Sequence, residues 1–214
     1  MAAIGHGGMM SRMNSHSDQI RALYERHAYH YYADRSRDLT VEQGWLDRFV
    51  SLLPTNATIL DIGCGHSEPI AQYLIEQGFD VGGVDSSPSL ISLCRNRFPD
   101  REWLVADMRT LELGRTFGGL VAWDSLFHLC HEDQRRMFPI IKRHAAPGAA
   151  LLFTSGPSHG ESIGSYRGEP LYHASLSASE YSLLLRSNGF SVRAHVEEDP
   201  DCGLHTVWLA QAEQ

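Results

Sequence analysis

The sequence predicts an α/β fold: a doubly wound, mostly parallel seven-stranded sheet with helices on both faces, an antiparallel C-terminal hairpin and N-terminal capping helices. Three observations predict it. Short apolar segments bounded by turn residues alternate with longer segments whose apolar residues recur at helical spacing. Two helical segments precede the first apolar segment, and a polar turn joins the last two.

The chain is predicted to begin with a tail and a helical cap. Residues 1–16 are small, polar and rich in Gly and Met, and we expect them to be disordered. Residues 17–33 have helical spacing and a capping residue at Ser17 or Asp18. Residues 41–53 form a second helix that Pro54 ends, so residues 17–54 make an N-terminal helical cap.

Strands and helices then alternate to the C-terminus. The predicted strands cover residues 58–61, 80–84, 102–106, 119–123, 150–154, 190–196 and 205–210. The predicted helices cover residues 69–77, 87–98, 132–144 and 179–188. Such βαβ units are right-handed and build a parallel sheet. Residues 155–170 are polar and rich in Gly and Ser, which favours a lid or a substrate-binding loop.

Length and charge restrict the class of protein. A chain of 214 residues suits one domain, here 17–214, which we expect to be a monomer or a homodimer. The net charge of -8 disfavours a nucleic-acid partner, and no apolar run is long enough to span a membrane. The four cysteines form no CxxC pair, which is typical of reduced thiols in a cytoplasmic protein.

Polar residues follow the first three predicted strands. Gly63 and Gly65 follow the first strand after Asp61, and glycine lets the backbone turn tightly and approach a ligand. Asp85 ends the second strand, where a carboxylate can accept both hydrogen bonds of a ribose diol. Asp107 ends the third strand, within reach of an adenine amine. Ligands of doubly wound folds bind at these strand ends, so the residues converge on one adenosyl-shaped crevice.

These motifs resemble those of the class I S-adenosylmethionine (SAM)-dependent methyltransferases. Residues 59–65 look like the first motif of that family and residues 82–87 like the second. Asp107-Met108 is similar to the pair that holds adenine, and residues 121–129 resemble the segment beside the methyl-transfer site. The resemblance covers residues 17–210 and implies SAM as the cofactor.

The resemblance assigns the parts of SAM to particular residues. Asp61 and the backbone of the Gly63–Gly65 turn would face the methionine part, and the Trp123 backbone would lie near its amino group. The full set for SAM is Asp61, Gly63, Cys64, Gly65, Asp85, Ser86, Asp107, Met108 and Trp123. Arg35 follows a tyrosine-rich helix and can pair with the SAM carboxylate or with a substrate acid. His66 departs from the small residue or Thr found in many members.

The function that the resemblance implies is methyl transfer by direct displacement, in which the protein mainly positions the reactants. The acidic charge, with no RNA- or protein-binding module evident, favours a small-molecule acceptor. A general base depends on the acceptor atom. His128 is the first candidate, because it lies on the segment beside the expected methyl group. Tyr172 and His173, at the exit of the polar loop, are the next candidates. A hydrogen-bonded structural histidine is the alternative interpretation of His128.

Three other motif matches lack the context that their functions need. A dinucleotide site needs a third glycine where Glu68 stands. Residues 156–160 match the G-x-S-x-G elbow of hydrolases around Ser158, but no helical segment follows. Residues 128–131 form an H-x-C-H cluster with no second ligand cluster, so no metal is expected.

Two alternative functions stay open at the level of sequence. A protein of this fold can bind SAM without transferring a methyl group, and then the acceptor side would be sealed. A methyltransferase that acts on protein or RNA would present an open acceptor groove with a basic or peptide-binding surface. An enclosed pocket at the acceptor side distinguishes the small-molecule enzyme from both.

Overall fold

The computed structural model describes the backbone of residues 7–214 and the side chains from Ser17 onward. The helices are α1 (Gly7–Arg26), α2 (Ala28–Asp34), α3 (Gln43–Ser51), α4 (Ile70–Glu76), α5 (Pro88–Arg97), α6 (His131–His144) and α7 (Ala178–Ser187). The strands are β1 (Thr58–Ile62), β2 (Asp80–Asp85), β3 (Trp103–Val105), β4 (Phe117–Ala122), β5 (Ala145–Ser155), β6 (Gly160–Tyr166), β7 (Glu169–Ser175), β8 (Phe190–Asp199) and β9 (His205–Ala212).

The main sheet has seven strands in the order β3-β2-β1-β4-β5-β9-β8. Strands β1 to β5 are parallel, and β9 runs antiparallel to both β5 and β8. The predicted sheet and its closing hairpin are therefore confirmed. The strand order reverses between β1 and β4, and a doubly wound sheet opens its ligand crevice at the carboxyl ends of such strands.

The core lies in two layers because side chains alternate across the buried strands. Ile59 packs into the layer under α3, α4 and α5, where it meets Phe49 and Leu74. Its neighbour Leu60 faces the layer under α6 and α7 with Phe138. Apolar side chains on both faces hold β1 rigidly, so the turn after it has a fixed position.

The segment 155–170, expected to be a lid or a substrate loop, is mostly regular structure. Residues Gly160–Tyr166 form β6, which pairs with β7 as a separate two-stranded antiparallel sheet. Arg167 and Gly168 join the strands, and both have a positive φ, as primed two-residue hairpin turns require. This strand was not predicted because β6 is rich in Gly and Ser and buries few side chains, so its sequence lacks the apolar–polar alternation of a half-buried strand.

The N-terminal cap also differs in detail from the prediction. The helix expected at 17–33 is two helices, α1 and α2, separated at His27. Helix α1 already begins at Gly7, within the segment expected to be disordered, and the rest of that expectation, residues 1–6, lies outside the described residues. Across the described part of the chain, no helix combines the length and apolar character needed to cross a membrane.

The cap and the β6–β7 hairpin are joined by polar contacts. His27 Nε2 lies 2.6 Å from a Glu169 carboxylate oxygen. Asp34 accepts hydrogen bonds from the Tyr166 hydroxyl at 3.0 Å and from the Arg167 guanidinium at 2.7 Å. The hairpin and the two helices therefore cover the same side of the crevice.

Candidate active site

The turn after β1 is built for close approach of a ligand. Gly63 and Cys64 donate their backbone N–H groups to the Val84 carbonyl at 2.8 and 3.0 Å. Gly63 has φ +81°, and a Cβ there would lie 2.4 Å from the Cβ of Ser125. Gly65 has φ +55°. Both glycines are therefore required by conformation, and Gly63 by space as well.

Asp85 is fixed by the backbone around it. One carboxylate oxygen accepts the Gly65 N–H at 3.0 Å, and the other accepts the Ser87 N–H at 2.9 Å. Burial raises the pKa of Asp85 to about 6, although these backbone N–H groups act to lower it. A carboxylate has about four acceptor positions, so Asp85 keeps capacity for further donors.

Asp61 lies in a recess beside the same turn and is only 5% exposed. Burial, followed by the charge of Asp85, raises the pKa of Asp61 to about 7. Within the described residues its carboxylate has no hydrogen-bond or ion-pair partner, and neither does the buried Nε1–H of Trp123. The recess also contains Arg35, whose guanidinium donates to the buried Glu42 at 2.6 Å.

Asp107 lies at the other end of the site and is held by two arginines. It accepts the Arg109 backbone N–H at 3.0 Å and the Arg21 guanidinium at 2.9 Å. Burial acts to raise the pKa of Asp107, but the hydrogen bonds from Arg109 outweigh it and leave the pKa below its usual range. Met108 follows in a short 3₁₀ helix.

Most of the predicted cofactor residues line two adjoining spaces. The larger space is a cleft whose lining includes Gly63, Gly65, Asp85, Ser86, Asp107 and Met108. The smaller recess is lined by Arg35, Asp61, Cys64 and Trp123, and it shares Gly63, Tyr31 and Asp124 with the cleft. The fold thus gathers these residues, which are distant in sequence, at one edge of the sheet.

His128 lines the cleft and has both ring nitrogens engaged. Its Nδ1 lies 3.0 Å from the Tyr172 carbonyl, and its Nε2 lies 3.0 Å from the Tyr24 hydroxyl. Because a carbonyl only accepts, Nδ1 carries the proton and Nε2 accepts from Tyr24. Burial lowers the pKa of His128 to about 4, so its ring is neutral at physiological pH.

The other two catalytic candidates differ in position. Tyr172 contributes its carbonyl to His128, while its buried side chain packs with Ile20 and Ala174. His173 has its ring centroid 4.9 Å from that of His128 and lines a groove beside the hairpin. Burial lowers the pKa of His173. The structure therefore brings His173 next to His128, whereas Tyr172 faces a separate apolar cluster.

The helical cap contributes groups that sequence reasoning did not assign. Glu25 of α1 accepts hydrogen bonds from the Ser87 hydroxyl at 2.5 Å and the Ser89 hydroxyl at 2.7 Å. Tyr24 and Tyr31 line the cleft. The tyrosine-rich sequence was compatible with a helix that covers the cofactor. Nothing near Glu25 in the sequence, however, indicates its hydrogen-bond partners at the start of α5.

His66, the departure from the family pattern, is fully buried beneath α2. Its ring meets the edges of the Tyr31 and Tyr32 rings, with centroids 5.6 and 5.2 Å apart. Burial lowers the pKa of His66 to about 4. His66 therefore packs the glycine turn against the cap as a neutral ring.

The competing motifs have structural explanations. Ser158 lies in a bend that leads into β6, not in the strand-turn-helix context of a nucleophile elbow. Glu68 pairs with Arg97 at 2.6 Å and Arg37 at 3.3 Å. No group of three or more His, Cys, Asp or Glu side chains in the described part of the chain is arranged to hold a metal ion.

Part of the sequence is similar to known methyltransferases. Residues 59–148 match the family model described as a methyltransferase domain. One relative is the dTDP-3-amino-3,4,6-trideoxy-alpha-D-glucopyranose N,N-dimethyltransferase of Streptomyces venezuelae, 30% identical over 57% of this chain and 52% of its own. Another is the mouse 18S rRNA (guanine-N(7))-methyltransferase, 27% identical over 60% of this chain and 48% of its own. The chain thus spans about half the length of these curated relatives.

Solved structures share the fold over most of the chain. The SAM-bound amino pentose methyltransferase of Micromonospora echinaspora aligns with a TM-score of 0.66, covering 87% of this chain and 95% of that one at 19% identity. The fold and the match to the methyltransferase domain confirm the resemblance that the motifs indicated. The chain therefore shares the Rossmann-like fold of these solved methyltransferases, and residues 59–148 match a methyltransferase domain.

Proposed function

We propose that the protein is a SAM-dependent methyltransferase that acts on a small molecule. One observation carries the proposal: Asp61, Asp85 and Asp107 lie at the carboxyl ends of three adjacent strands and line an adjoining cleft and recess around a glycine turn. A cofactor with an amino acid, a ribose and an adenine needs polar groups in that order.

The groups present fit the cofactor. The glycine turn leaves room that a Cβ on Gly63 would fill. The unpartnered carboxylate of Asp61 suits an ammonium group, and the buried Trp123 N–H and Arg35 suit a carboxylate. Asp85 would hold the ribose hydroxyls. Asp107 and Met108 would hold the adenine, together with the backbone that follows β3.

When bound, SAM supplies an electrophilic methyl group on a positively charged sulfur. The residues of the chain then position the acceptor and exclude water, and orientation of this kind is worth effective molarities of ~10⁵ M or more. Tyr24 and Tyr31 contribute aromatic walls to the cleft. The neutral His128 ring is held in place by hydrogen bonds to Tyr24 and to the Tyr172 carbonyl, and it contributes a polar side chain to the lining of the cleft.

A small acceptor is favoured by the cover over the site. The cap contacts the hairpin through Asp34 and Glu169, and a site partly covered in this way suits a small acceptor better than a macromolecule, which would need an open groove. The net charge of -8 acts against an RNA substrate. A relative that uses an amino sugar nucleotide also supports this choice, although another relative acts on rRNA. The cytoplasmic location and the monomeric or homodimeric state stay predictions.

Calorimetric titration with SAM and with S-adenosylhomocysteine tests the proposal. We expect micromolar binding of both to the wild-type protein. Asp85→Asn should weaken both by at least about tenfold, because the ribose loses a charged acceptor. Asp80→Asn is the matched control, since Asp80 begins the same strand, is 65% exposed and pairs with Arg101.

The outcomes separate the alternatives. Failure of the wild-type protein to bind either ligand would refute the proposed function. Binding of both with no release of S-adenosylhomocysteine from any small acceptor, protein or RNA tested would identify a non-catalytic SAM-binding protein. Equal weakening in Asp85→Asn and Asp80→Asn would place the ribose elsewhere.

A further inference from the structure

Asp124 occupies a strained position directly after β4. Its φ is +49°, in the left-handed region that residues other than Gly rarely adopt and that is enriched at functional sites. The backbone N–H donates to the Thr154 hydroxyl at 2.8 Å, and that hydroxyl donates to the carboxylate at 3.2 Å. Two contacts to the neighbouring strand β5 thus hold the residue in place.

His205 keeps Asp124 negatively charged. His205 Nε2 lies 3.2 Å from one carboxylate oxygen of Asp124, and its Nδ1 lies 2.7 Å from the Cys202 carbonyl. Both partners accept hydrogen bonds, so both ring nitrogens carry protons and the ring is a cation. The bond to Asp124 accordingly raises the pKa of His205 to about 10.

The charge of Asp124 faces the acceptor side of the site. Asp124 lines both the cleft and the recess, and its side chain is 32% exposed. After the larger effect of burial, its charge raises the pKa of the Tyr24 hydroxyl and acts against the lowered pKa values of His128 and His173. One fixed anion therefore acts on Tyr24, His128 and His173 together.

Neither His128 nor Tyr24 offers a ready base at this place. Both ring nitrogens of His128 are engaged, and its pKa is about 4. The Tyr24 hydroxyl donates to His128, and burial raises its pKa. A hydroxyl acceptor must lose a proton as it is methylated, whereas an amine attacks through a free lone pair.

We propose that Asp124 selects an amine as the methyl acceptor and stabilises the positive charge that develops on its nitrogen. This inference rests on the proposed methyltransferase function. His205 is a positioning residue that keeps Asp124 ionised. A fixed anion beside a developing cation is a preorganised electrostatic contribution to catalysis.

The step balances without a protein base. The amine enters the reaction as its free base, having lost any proton to bulk water. The nitrogen lone pair forms a bond to the methyl carbon while the carbon–sulfur bond breaks and its electron pair stays on sulfur. The positive charge thereby passes from sulfur to nitrogen, and the products are a neutral thioether and an alkylammonium ion that Asp124 faces.

Binding of three ligands to the Asp124→Asn variant tests the inference without a known acceptor. Asn tolerates the left-handed backbone and retains the shape of the side chain. The probes are neutral S-adenosylhomocysteine, cationic SAM, and sinefungin, in which an amine-bearing carbon replaces the methylated sulfur. We expect Asp124→Asn to weaken sinefungin about tenfold or more relative to S-adenosylhomocysteine.

Each result has one meaning. Equal weakening of all three ligands would assign Asp124 to the amino acid end of the cofactor, and unchanged affinities would assign it no charge contact; both overturn the inference while leaving SAM binding intact. Failure of the wild-type protein to bind any ligand would instead refute the proposed function.

A second variant and an acceptor screen keep the test decisive if Asp124→Asn does not fold. His205→Gln retains the carboxylate but removes the cation beside it, so the preference for sinefungin should fall as the pH is lowered. Paired amine and alcohol acceptors with the same skeleton should release S-adenosylhomocysteine only from the amine. Turnover of the alcohol in preference to its amine would contradict the inference.

Discussion

Two buried carboxyl groups dominate the site at the scale of single residues. Burial raises the pKa of Asp61 to about 7 and that of Asp85 to about 6, and the charge of Asp85 adds to the shift of Asp61. An aspartate in an unfolded chain has a pKa of about 3.9. Ionisation of these groups therefore costs the folded protein free energy, which a bound cation recovers.

SAM affinity should consequently depend on pH. The folded pKa of Asp61 exceeds its unfolded value, so its contribution to stability is complete below about pH 4 and is lost as the pH rises through about 7. The dependence of SAM binding has the opposite sign, because the cationic cofactor prefers the ionised carboxylate. We expect affinity, measured by calorimetry, to rise from about pH 5.5 to about pH 8.

The Asp61→Asn variant supplies the control for this pH dependence. The variant should bind SAM more weakly at about pH 8, and its SAM affinity should no longer rise as the pH approaches 8. Its free energy of unfolding at that pH should exceed that of the wild-type protein. An unchanged pH profile in the variant would mean that another group controls the affinity.

Single residues of the site differ in how far the sequence revealed them. Asp61 and Asp85 could be assigned because each ends a strand, and strand ends of a parallel sheet meet. His128 was found, but its bond to Tyr24 joins residues 104 positions apart. Glu25 gave no signal, since a glutamate on a helix is ordinary.

At the scale of elements, two serine caps offer a matched comparison. Ser87 caps α5 by accepting the Leu90 N–H at 3.2 Å, and Ser177 caps α7 by accepting the Glu180 N–H at the same distance. Only Ser87 also contacts the N-terminal cap, through Glu25. The two helices thus begin alike, but only α5 begins beside the cleft, next to Ser86.

Replacement of each cap by alanine should separate these roles. Ser87→Ala and Ser177→Ala should each lower the unfolding free energy by about 1 kcal/mol, measured by urea unfolding. Only Ser87→Ala should also weaken SAM binding, by several fold, because it loosens α1 from α5. Equal SAM affinity in the two variants would show that this contact does not support the site.

The β6–β7 hairpin shows why one element escaped prediction. Most β6 side chains are exposed, so their apolar pattern is weak, and Pro170 lies within β7. The hairpin persists because β7 packs on α1 through Tyr172 and Ile20. The strands of the main sheet were predicted, since the central ones are apolar on both faces.

At the scale of the whole molecule, SAM binding should rigidify the cap and the hairpin together. Ile20, Arg21 and Tyr24 of α1 line the cleft. The hairpin contacts the cap through polar side-chain contacts at Glu169 and Asp34. Hydrogen exchange should therefore slow in residues 17–34 and 160–175 when SAM is added. Residues 190–199 at the far sheet edge serve as the internal control.

The increase in stability that SAM binding should produce follows from mass action. At a SAM concentration a hundred times its Kd, the free energy of unfolding should rise by about 2.7 kcal/mol, measurable as an increase in Tm. Protection confined to the turns after β1 and β2 would mean that the cap does not close over the cofactor.

The sequence by itself determined the seven-stranded sheet, its closing hairpin and the acids at the strand ends. These features depend on local patterns, because buried strands need apolar runs and a close backbone approach needs glycine. Only the tertiary structure decided that Tyr24 donates to His128, that Glu25 binds α5 and that His205 holds Asp124 ionised. Such contacts join residues far apart in sequence, and their distances depend on how the layers pack.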